Sequence, residues 1–412
     1  MFPILDISGS PYERGLAHGQ RARAQVAGSI RCYAALFANA GFDWTDAQKR
    51  ASHYRDTIAA CGGGLIEEIE GIAEGSGFAV NEILALNART ELLPPTNHSL
   101  DPADVAKARE HNAGLKLFSI GECTSVAVQG SRCTDGHTRV AQNWDWVGFQ
   151  RQNVVVLRVT RNPTHGDSGP DYLTLTEAGM LAKIGINARG VGVGLNILRA
   201  TNDRQHLGVP VHVFQRLALD CHSVTEVLAL AKRLKFSGSS NAILGDASGQ
   251  VASLEYSCNG TYAVQPENGV VTHTNHFAGP ELAPYQTSLA DMFTTVPRLA
   301  CANANVKTWP AQIDNSHLQA LLRDESGEGD NPKINAVCRW PDLSQPVEVQ
   351  VETVFSVIID CDARSLLVAP DIPSRVGYVG WGCKHRVRIL LCKGEDIGFS
   401  GSDTEFEIFG KC

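Results

Sequence analysis

The hydrophobic period of this chain changes once, near residue 123, and this change restricts the possible folds more than any other feature. Before it, apolar side chains recur every three or four residues, as in residues 12–37, which predicts buried helical faces. After it, residues 124–128 and 138–142 alternate between apolar and polar side chains, and Asp135-Gly136 between them indicates a hairpin. The sequence therefore predicts a helical first part followed by antiparallel strands.

The rest of the chain continues in blocks of one kind of element rather than in strict alternation. Residues 223–226, Ser-Val-Thr-Glu, have the pattern of a capping box at a helix start. Such segregation of helices and strands is typical of an α+β fold with layered sheets. The predicted helices are 44–61, 65–74, 209–219, 224–234 and 314–324, and the further predicted strands are 154–160, 172–176, 190–196, 242–244, 251–256, 262–264, 270–275, 352–359 and 365–369.

The composition argues against several classes of partner. The chain has 36 Lys and Arg against 44 Asp and Glu and no dense basic block, so no nucleic acid is expected. No pair among the 12 cysteines forms a Cys-x-x-Cys pattern, and we expect no metal site and no cofactor. No apolar run approaches the roughly 20 residues of a membrane span, and no signal peptide or peroxisomal tripeptide is evident. These features predict a cytoplasmic protein without membrane contact, with mostly reduced thiols.

One cysteine, Cys123, stands where the period changes. A cysteine at the start of an apolar strand is ordinarily a small buried hydrophobe. Acyl transfer, however, needs a nucleophile, a base and donors for the oxyanion, and polar residues recur at the ends of otherwise apolar strands here. Cys123 is therefore the candidate nucleophile, and the polar stretches that offer it partners are 142–145, 177–179, 187 and 273–276.

Several short motifs follow one another in order along the chain. They are Glu-Cys-Thr-Ser at 122–125, Gln-Asn-Trp-Asp at 142–145, Thr-Glu-Ala-Gly at 176–179, Lys-Ile-Gly-Ile-Asn at 183–187 and His-Thr-Asn-His at 273–276. With the opening at 9–19 and the apolar strand at 353–360, this set resembles the acyl-coenzyme A:6-aminopenicillanic acid acyltransferase family of N-terminal-nucleophile hydrolases. The resemblance extends over about residues 8–373.

The resemblance implies a four-layer αββα sandwich, made as an inactive precursor that cleaves its own chain. Scission would fall between Glu122 and Cys123, because a terminal cysteine carries an amine of pKa about 8 that can deprotonate its own thiol. Residues 1–122 would become a small helical chain that stays bound as a partner, and 123–375 would form the catalytic domain. Residues 376–412, a cysteine-bearing stretch of weak periodicity, would form a tail without an assigned role.

The resemblance also implies roles for single residues. Asn275 would donate to the oxyanion, and Asp145 would orient the cysteine amine. A backbone amide of Thr124 or Ser125 would complete the oxyanion hole. The positions expected to line or support the pocket are Asn143, Trp144, Glu177, His273, His276 and Arg298.

The chain departs from the family pattern at two positions. Glu122 stands where glycine precedes the nucleophile in the pattern, and its bulk is expected to slow an acyl shift that needs a strained peptide. In the Ser-x-x-Arg-x-x-Arg pattern, Thr295 replaces the first arginine, the one expected near the nucleophile, and only Arg298 is kept. Penicillin-type substrate handling is therefore not expected to carry over.

The predicted function is that of an autoprocessed cysteine amidohydrolase or acyltransferase. The Cys123 thiolate would attack a small-molecule acyl amide or acyl-thioester, such as a coenzyme A thioester, and pass the acyl group to water or an amine. A papain-like thiol hydrolase without self-cleavage is one alternative, since His273 follows Cys123 by 150 residues. A non-catalytic, ligand-binding member of the same fold is the other.

Overall fold

The strands of the protein form two sheets that face each other. The computed structural model describes residues 1–93, 122–162, 167, 169–287, 289, 294–327, 329 and 331–382. In this part of the chain the larger sheet has eight strands, in the order β1 (Ile4–Ser8), β4 (Val154–Thr160), β5 (Tyr172–Glu177), β6 (Ile184–Asn187), β7 (Gly192–Ile197), β8 (Ser240–Gly245), β9 (Val251–Ser257) and β10 (Gly260–Val264). The smaller sheet has six, in the order β11 (Val270–His273), β2 (Glu122–Val128), β3 (Arg139–Val147), β12 (Val351–Asp360), β13 (Ser365–Ala369) and β14 (Val379–Gly382).

Helices cover the outer face of each sheet. The larger sheet packs against helices of the first part of the chain and against a central pair, whereas the smaller sheet packs against two later helices. The helices of the first group are α1 (Pro11–Arg21), α2 (Arg23–Asn39), α3 (Trp44–Ser52), α4 (Arg55–Ala60), α5 (Leu65–Ser76), α6 (Val80–Asn87) and α7 (Arg89–Leu92). The central pair is α8 (Val211–Ala218) and α9 (Val224–Arg233), and the later pair is α10 (Thr295–Thr308) and α11 (Asn315–Leu322).

The inner faces of the sheets make the core. Strands β2 and β3 lie against β7 and β8, so the layers follow the order helix, sheet, sheet, helix. Every residue of β3, β5 and β8 is buried, as expected for strands covered on both faces. The predicted αββα sandwich is confirmed.

Most predicted elements are present, including the β2–β3 hairpin, but several short ones were missed. β1 pairs in parallel with β4, so the first part of the chain also supplies an edge strand. β14 pairs with β13 and buries Trp381, so the smaller sheet continues past the expected boundary at 375. Both strands are short and lie at sheet edges, where pairing with a distant neighbour rather than local pattern stabilises them. Residues 383–412 of the expected tail lie outside the described residues.

The start of α9 differs in detail from the predicted capping box. The Ser223 hydroxyl accepts from the Glu226 backbone N–H at 3.2 Å, as expected. The Glu226 carboxylate, however, accepts from the N–H of His222 at 2.7 Å rather than from that of Ser223. Both hydrogen bonds of a capping box are present at this helix start, but the carboxylate accepts from the residue before the N-cap rather than from the N-cap residue itself.

Helices α1 and α5 pack backbone to backbone through glycines. A methyl group at Gly15 of α1 would overlap the carbonyl oxygen of Glu68, and one at Gly71 of α5 would overlap that of Tyr12. Gly19 and Gly75 meet the facing backbone in the same way. This close approach seats the first helices on the larger sheet, and it tolerates no side chain at these positions.

Replacing Gly15 by alanine should lower the free energy of unfolding by about 1–3 kcal/mol, because the added methyl group forces the helices apart. Urea denaturation followed by circular dichroism measures the change. Gly377→Ala is the matched control, since no described residue lies within 4 Å of a methyl group there. Equal midpoints for the two variants would contradict the packing described.

Candidate active site

Cys123 is held from both sides of its backbone near the start of β2. Its N–H donates to Oδ1 of Asn275 at 2.6 Å, and its carbonyl accepts from Nη1 of Arg298 at 2.6 Å. The side chain is 1% exposed. Three of the sequence-predicted site residues therefore meet at one peptide, although they come from β2, the loop after β11 and helix α10.

Arg298 lies in the helix layer that covers the smaller sheet and contacts both Cys123 and Asn275. Its Nη1 also donates to Thr124 Oγ1 at 2.9 Å, and its Nη2 donates to Asn275 Oδ1 at 3.0 Å. Thr295, which takes the place of the first arginine of the family pattern, accepts from the backbone N–H of Asn275 at 2.7 Å. Position 298 lies further into α10 and faces β2, whereas 295, at the helix start, supports the loop.

Asn275 joins the two sheets. While its Oδ1 accepts from Cys123 in the smaller sheet, its Nδ2 donates to the carbonyl of Ile197, the last residue of β7 in the larger sheet, at 2.9 Å. In the uncut chain the amide is thus engaged with backbone on both sides. Its direction is fixed before any substrate binds.

Asp145 lies on β3, opposite Glu122 in the strand register. Oδ1 accepts from the Thr353 hydroxyl at 2.7 Å, whereas Oδ2 has no hydrogen-bond partner in the described ranges. Burial raises the pKa of Asp145 to about 7, although Arg298 and the Thr353 hydrogen bond oppose the shift. The carboxyl group therefore titrates near neutral pH, as a group that exchanges a proton requires.

The Cys123 thiol is protonated in the uncut chain at neutral pH. Burial, and then the Asp145 carboxylate, raise the pKa of Cys123 to about 11. Lys183 and Arg298 act in the opposite direction, because a cation stabilises the thiolate.

The two histidines of the His-Thr-Asn-His motif support the loop around Asn275. His273 uses Nε2 for Glu255 Oε1 at 2.8 Å and Nδ1 for the Thr274 carbonyl at 2.7 Å. His276 Nδ1 lies 3.0 Å from Thr295 Oγ1. Both ring nitrogens of His273 are thus engaged away from Cys123, which contradicts the papain-like alternative.

Other predicted residues contact neighbouring elements rather than Cys123. Asn143 donates through Nδ2 to the carbonyl groups of Leu322 and Val337 at 2.8 and 2.9 Å. Ser125 donates to Asn196 Oδ1 at 2.7 Å, across the space between the sheets. The backbone of Glu122 opens β2, and its side chain is outside the described part of the chain.

Trp144 and Glu177 belong to a buried cluster that the motifs did not predict as a unit. Lys183 Nζ donates to Glu177 Oε2 at 2.6 Å and lies 3.4 Å from the centre of the Trp144 ring. The other contacts of Glu177 are with Tyr33 and Arg89 of the first helices. A lysine within the apolar run at 180–186 was the one local signal for this cluster.

The geometry agrees with the relatives of the chain. The sequence model of the family described as acyl-coenzyme A:6-aminopenicillanic acid acyl-transferase matches residues 132–334, a range that includes Asp145, Asn275 and Arg298 and begins after Cys123. The 40 kDa form of acyl-coenzyme A:6-aminopenicillanic-acid-acyltransferase from Emericella nidulans is 26% identical over 274 residues, which cover 65% of this chain and 67% of that protein. Both matches bear out the predicted resemblance to this family. The protein is thus an enzyme of acyl transfer or amide hydrolysis, with a small-molecule substrate.

Solved structures resemble this protein more distantly. A mutant of the conjugated bile acid hydrolase from Clostridium perfringens is 12% identical, with a TM-score of 0.42 over 60% of this chain and 89% of that chain. Penicillin V acylase from Agrobacterium tumefaciens is 14% identical, with a TM-score of 0.35 over 63% and 90%. The fold assignment depends on the four layers themselves rather than on these scores. Within the described ranges, no helix combines the length and apolar character that crossing a membrane requires.

The raised pKa of Asp145 predicts a pH-dependent cost to folding. Below about pH 4 the carboxyl group is neutral in both states, but from there to about pH 7 it ionises only when the chain unfolds. Stability attributable to Asp145 is therefore lost as pH rises through this window.

Unfolding free energies of wild type and Asp145→Asn, both in a Cys123→Ala background that keeps the chain whole, should diverge when measured in urea from pH 5 to 8. The variant should gain on the order of 3 kcal/mol relative to wild type over the full window. Asp314→Asn is the control, because hydrogen bonds with Ser316 lower the pKa of Asp314 to about 2, below the range tested. A constant difference between wild type and Asp145→Asn would refute the assignment.

Proposed function

We propose that this protein is an autoprocessed cysteine amidohydrolase or acyltransferase in which Cys123 is the nucleophile. The observation that supports this most directly is the convergence of Asn275 and Arg298 on the Cys123 peptide, with the Asp145 carboxyl nearby. An ordinary buried strand cysteine needs no such arrangement, since the strand ladder already supplies its backbone hydrogen bonds.

The first event is cleavage between Glu122 and Cys123. The Cys123 sulfur attacks the Glu122 carbonyl carbon, the peptide C–N bond breaks, and the nitrogen leaves as an amine after taking a proton. Water then hydrolyses the resulting thioester and releases the thiol. The nitrogen that becomes the amine is already the donor to Asn275 Oδ1, so its position is set before the bond breaks.

The matured cysteine carries its own base. An α-amine has an ordinary pKa of about 8, so it can accept the thiol proton close to neutral pH. Oδ2 of Asp145 offers that amine an acceptor in a buried site, because it has no partner among the described groups. The thiolate attacks an acyl carbonyl, and a backbone amide of Thr124 or Ser125 stabilises the oxyanion. Asn275 joins it in this proposal by turning its Nδ2, which in the uncut chain donates to the Ile197 carbonyl, towards the oxyanion.

Residues 1–122 remain after cleavage as the partner chain in this proposal. β1 is an integral strand of the larger sheet, and α1, α2 and α5 bury apolar faces against the rest of the protein. Separation would expose this core to water, at a cost of about 25 cal/mol for each Å². The catalytic chain begins at Cys123 and includes β14.

The proposed substrates are acyl-coenzyme A thioesters and N-acyl amides. The name of the Emericella nidulans relative includes acyl-coenzyme A and an amine acceptor, which supports testing both. Whether water or an amine takes the acyl group depends on how well the pocket excludes water. The non-catalytic alternative predicts no acyl group on Cys123.

Purified wild-type protein should separate, under denaturing conditions, into chains of residues 1–122 and 123–412, with Cys123 as a new amino terminus. Intact mass and Edman sequencing identify the two. Cys123→Ala should stay uncut, whereas Cys258→Ala, at a half-buried cysteine of the catalytic chain, should be cut normally. Glu122→Gly should be cut at least as fast as wild type. Cleavage of Cys123→Ala at the same bond would contradict the mechanism.

Incubation with a panel of acyl-coenzyme A thioesters of different chain lengths should add one acyl mass to Cys123. Asn275→Ala, tested as matured protein, should acylate about 10²–10³ times more slowly, because one oxyanion donor is lost. Asn259→Ala, whose side chain pairs with Asn202 instead, is the control. Stopped-flow release of coenzyme A gives the rates. Equal rates for the two asparagine variants would remove Asn275 from the oxyanion site.

A further inference from the structure

Three buried side chains converge on Glu177 between the sheet layers. Its Oε2 accepts from Lys183 Nζ at 2.6 Å and from Arg89 Nη2 at 3.2 Å, while its Oε1 accepts from the Tyr33 hydroxyl. All four side chains are buried. Tyr33 and Arg89 belong to α2 and α7, before the proposed cleavage point, and Glu177 and Lys183 come after it.

This cluster reaches the proposed nucleophile through Trp144. Cys123 and Trp144 are directly opposite in the β2–β3 ladder, so their side chains lie on the same sheet face, with Cβ atoms about 5 Å apart. Lys183 Nζ lies 3.4 Å from the Trp144 ring centre, over that face. Arg298 contacts the opposite face, because it binds the side chain of Thr124, the next residue along β2.

The charges of the cluster do not balance. Arg89 and Lys183 are two cations that share the carboxylate of Glu177. Glu91, which also faces Arg89, is itself buried, and burial raises its pKa to about 7. Burying an uncompensated cation is costly, and an anion nearby would stabilise it. On the sheet face below Lys183, Cys123 is the side chain that can become that anion.

We infer that Lys183 is a positioning residue that stabilises the Cys123 thiolate, and that Tyr33 and Arg89 of the N-terminal segment hold it there through Glu177. The inference rests on the proposed function of Cys123. The N-terminal segment then contributes to the chemistry of the site as well as to its packing, since a cluster half built by that segment sets the charge next to the nucleophile.

The surrounding titratable groups leave this role to Lys183. Burial lowers the pKa of Lys183 to about 7, whereas Glu177 and the Cys123 thiolate act to raise it. The charged form of Lys183 is therefore favoured when the thiolate forms. Burial lowers the pKa of His212, on α8, well below its usual range, so that imidazole is neutral. The other charged or titratable groups that face Cys123, Lys183 or Glu177 are Asp145, Arg298, Arg89, Tyr33 and Cys32.

The test is the pH dependence of Cys123 alkylation by iodoacetamide from pH 5 to 10.5, followed by peptide mass spectrometry on the full purified protein. Intact mass shows whether each sample is cut, and wild type and variants are compared in the same state, because the pKa of the thiol is about 11 in the uncut chain. Lys183→Met keeps the length of the side chain and removes the charge. It should raise the midpoint of the profile by about one pH unit and slow alkylation at pH 7 about tenfold. Lys183→Arg keeps the cation and should restore most of the wild-type profile.

A Lys183→Met profile that superimposes on that of wild type, with the fold intact by circular dichroism, overturns the inference. If Lys183→Met does not fold, Lys183→Gln takes its place with the same expected shift. Alkylation requires neither cleavage nor an acyl donor, so the outcome is independent of the proposed function. Failure of wild type to cleave or to accept an acyl group would refute that function, whatever the alkylation profiles show.

Discussion

The side-chain amide of Asn275 connects the two sheets at the point where the candidate site is built. It accepts from the Cys123 N–H on one side and donates to the carbonyl of Ile197 on the other, and both groups are buried. A buried amide that lost either partner would leave an unpaired polar group, at a cost of about 1–3 kcal/mol. The start of β2 and the end of β7 are therefore held in one relative position, and Arg298 and Thr295 of α10 keep the amide in place.

Burial determines the chemical character of the site. Withdrawal from water raises the pKa of the Asp145 carboxyl to about 7 and lowers that of the Lys183 ammonium to about 7. Both groups thus titrate near neutral pH, on opposite faces of the strand that carries Cys123. In water, neither would change its charge in that range. The layered fold produces this effect, because the larger sheet covers one face of β2 and β3 and the later pair of helices covers the other.

The fold was largely predictable from the sequence, and the candidate site only in part. Period and turn chemistry predicted most strands, since a strand with one alternating face carries its pattern locally. The motifs pointed to Cys123, Asp145 and Asn275, and the structure brings these together. Edge strands β1 and β14 were missed because their stability comes from a distant neighbour. Arg298 was expected to line or support the pocket, but its direct contact with the Cys123 carbonyl was not predicted, because the direction in which α10 faces is not visible in spacing alone.

The sequence by itself determined the layered α+β class, because that depends on patterns within a few residues. Its motifs predicted the family, and the αββα order of layers followed from that resemblance. Only the tertiary structure decided which charged side chains lie together next to Cys123. Tyr33, Arg89, Glu177 and Lys183 are far apart along the chain, and none has a motif that predicts its partner. An ion pair between distant segments is specified by the packing of whole helices and strands, and a local pattern of residues contains no information about that packing.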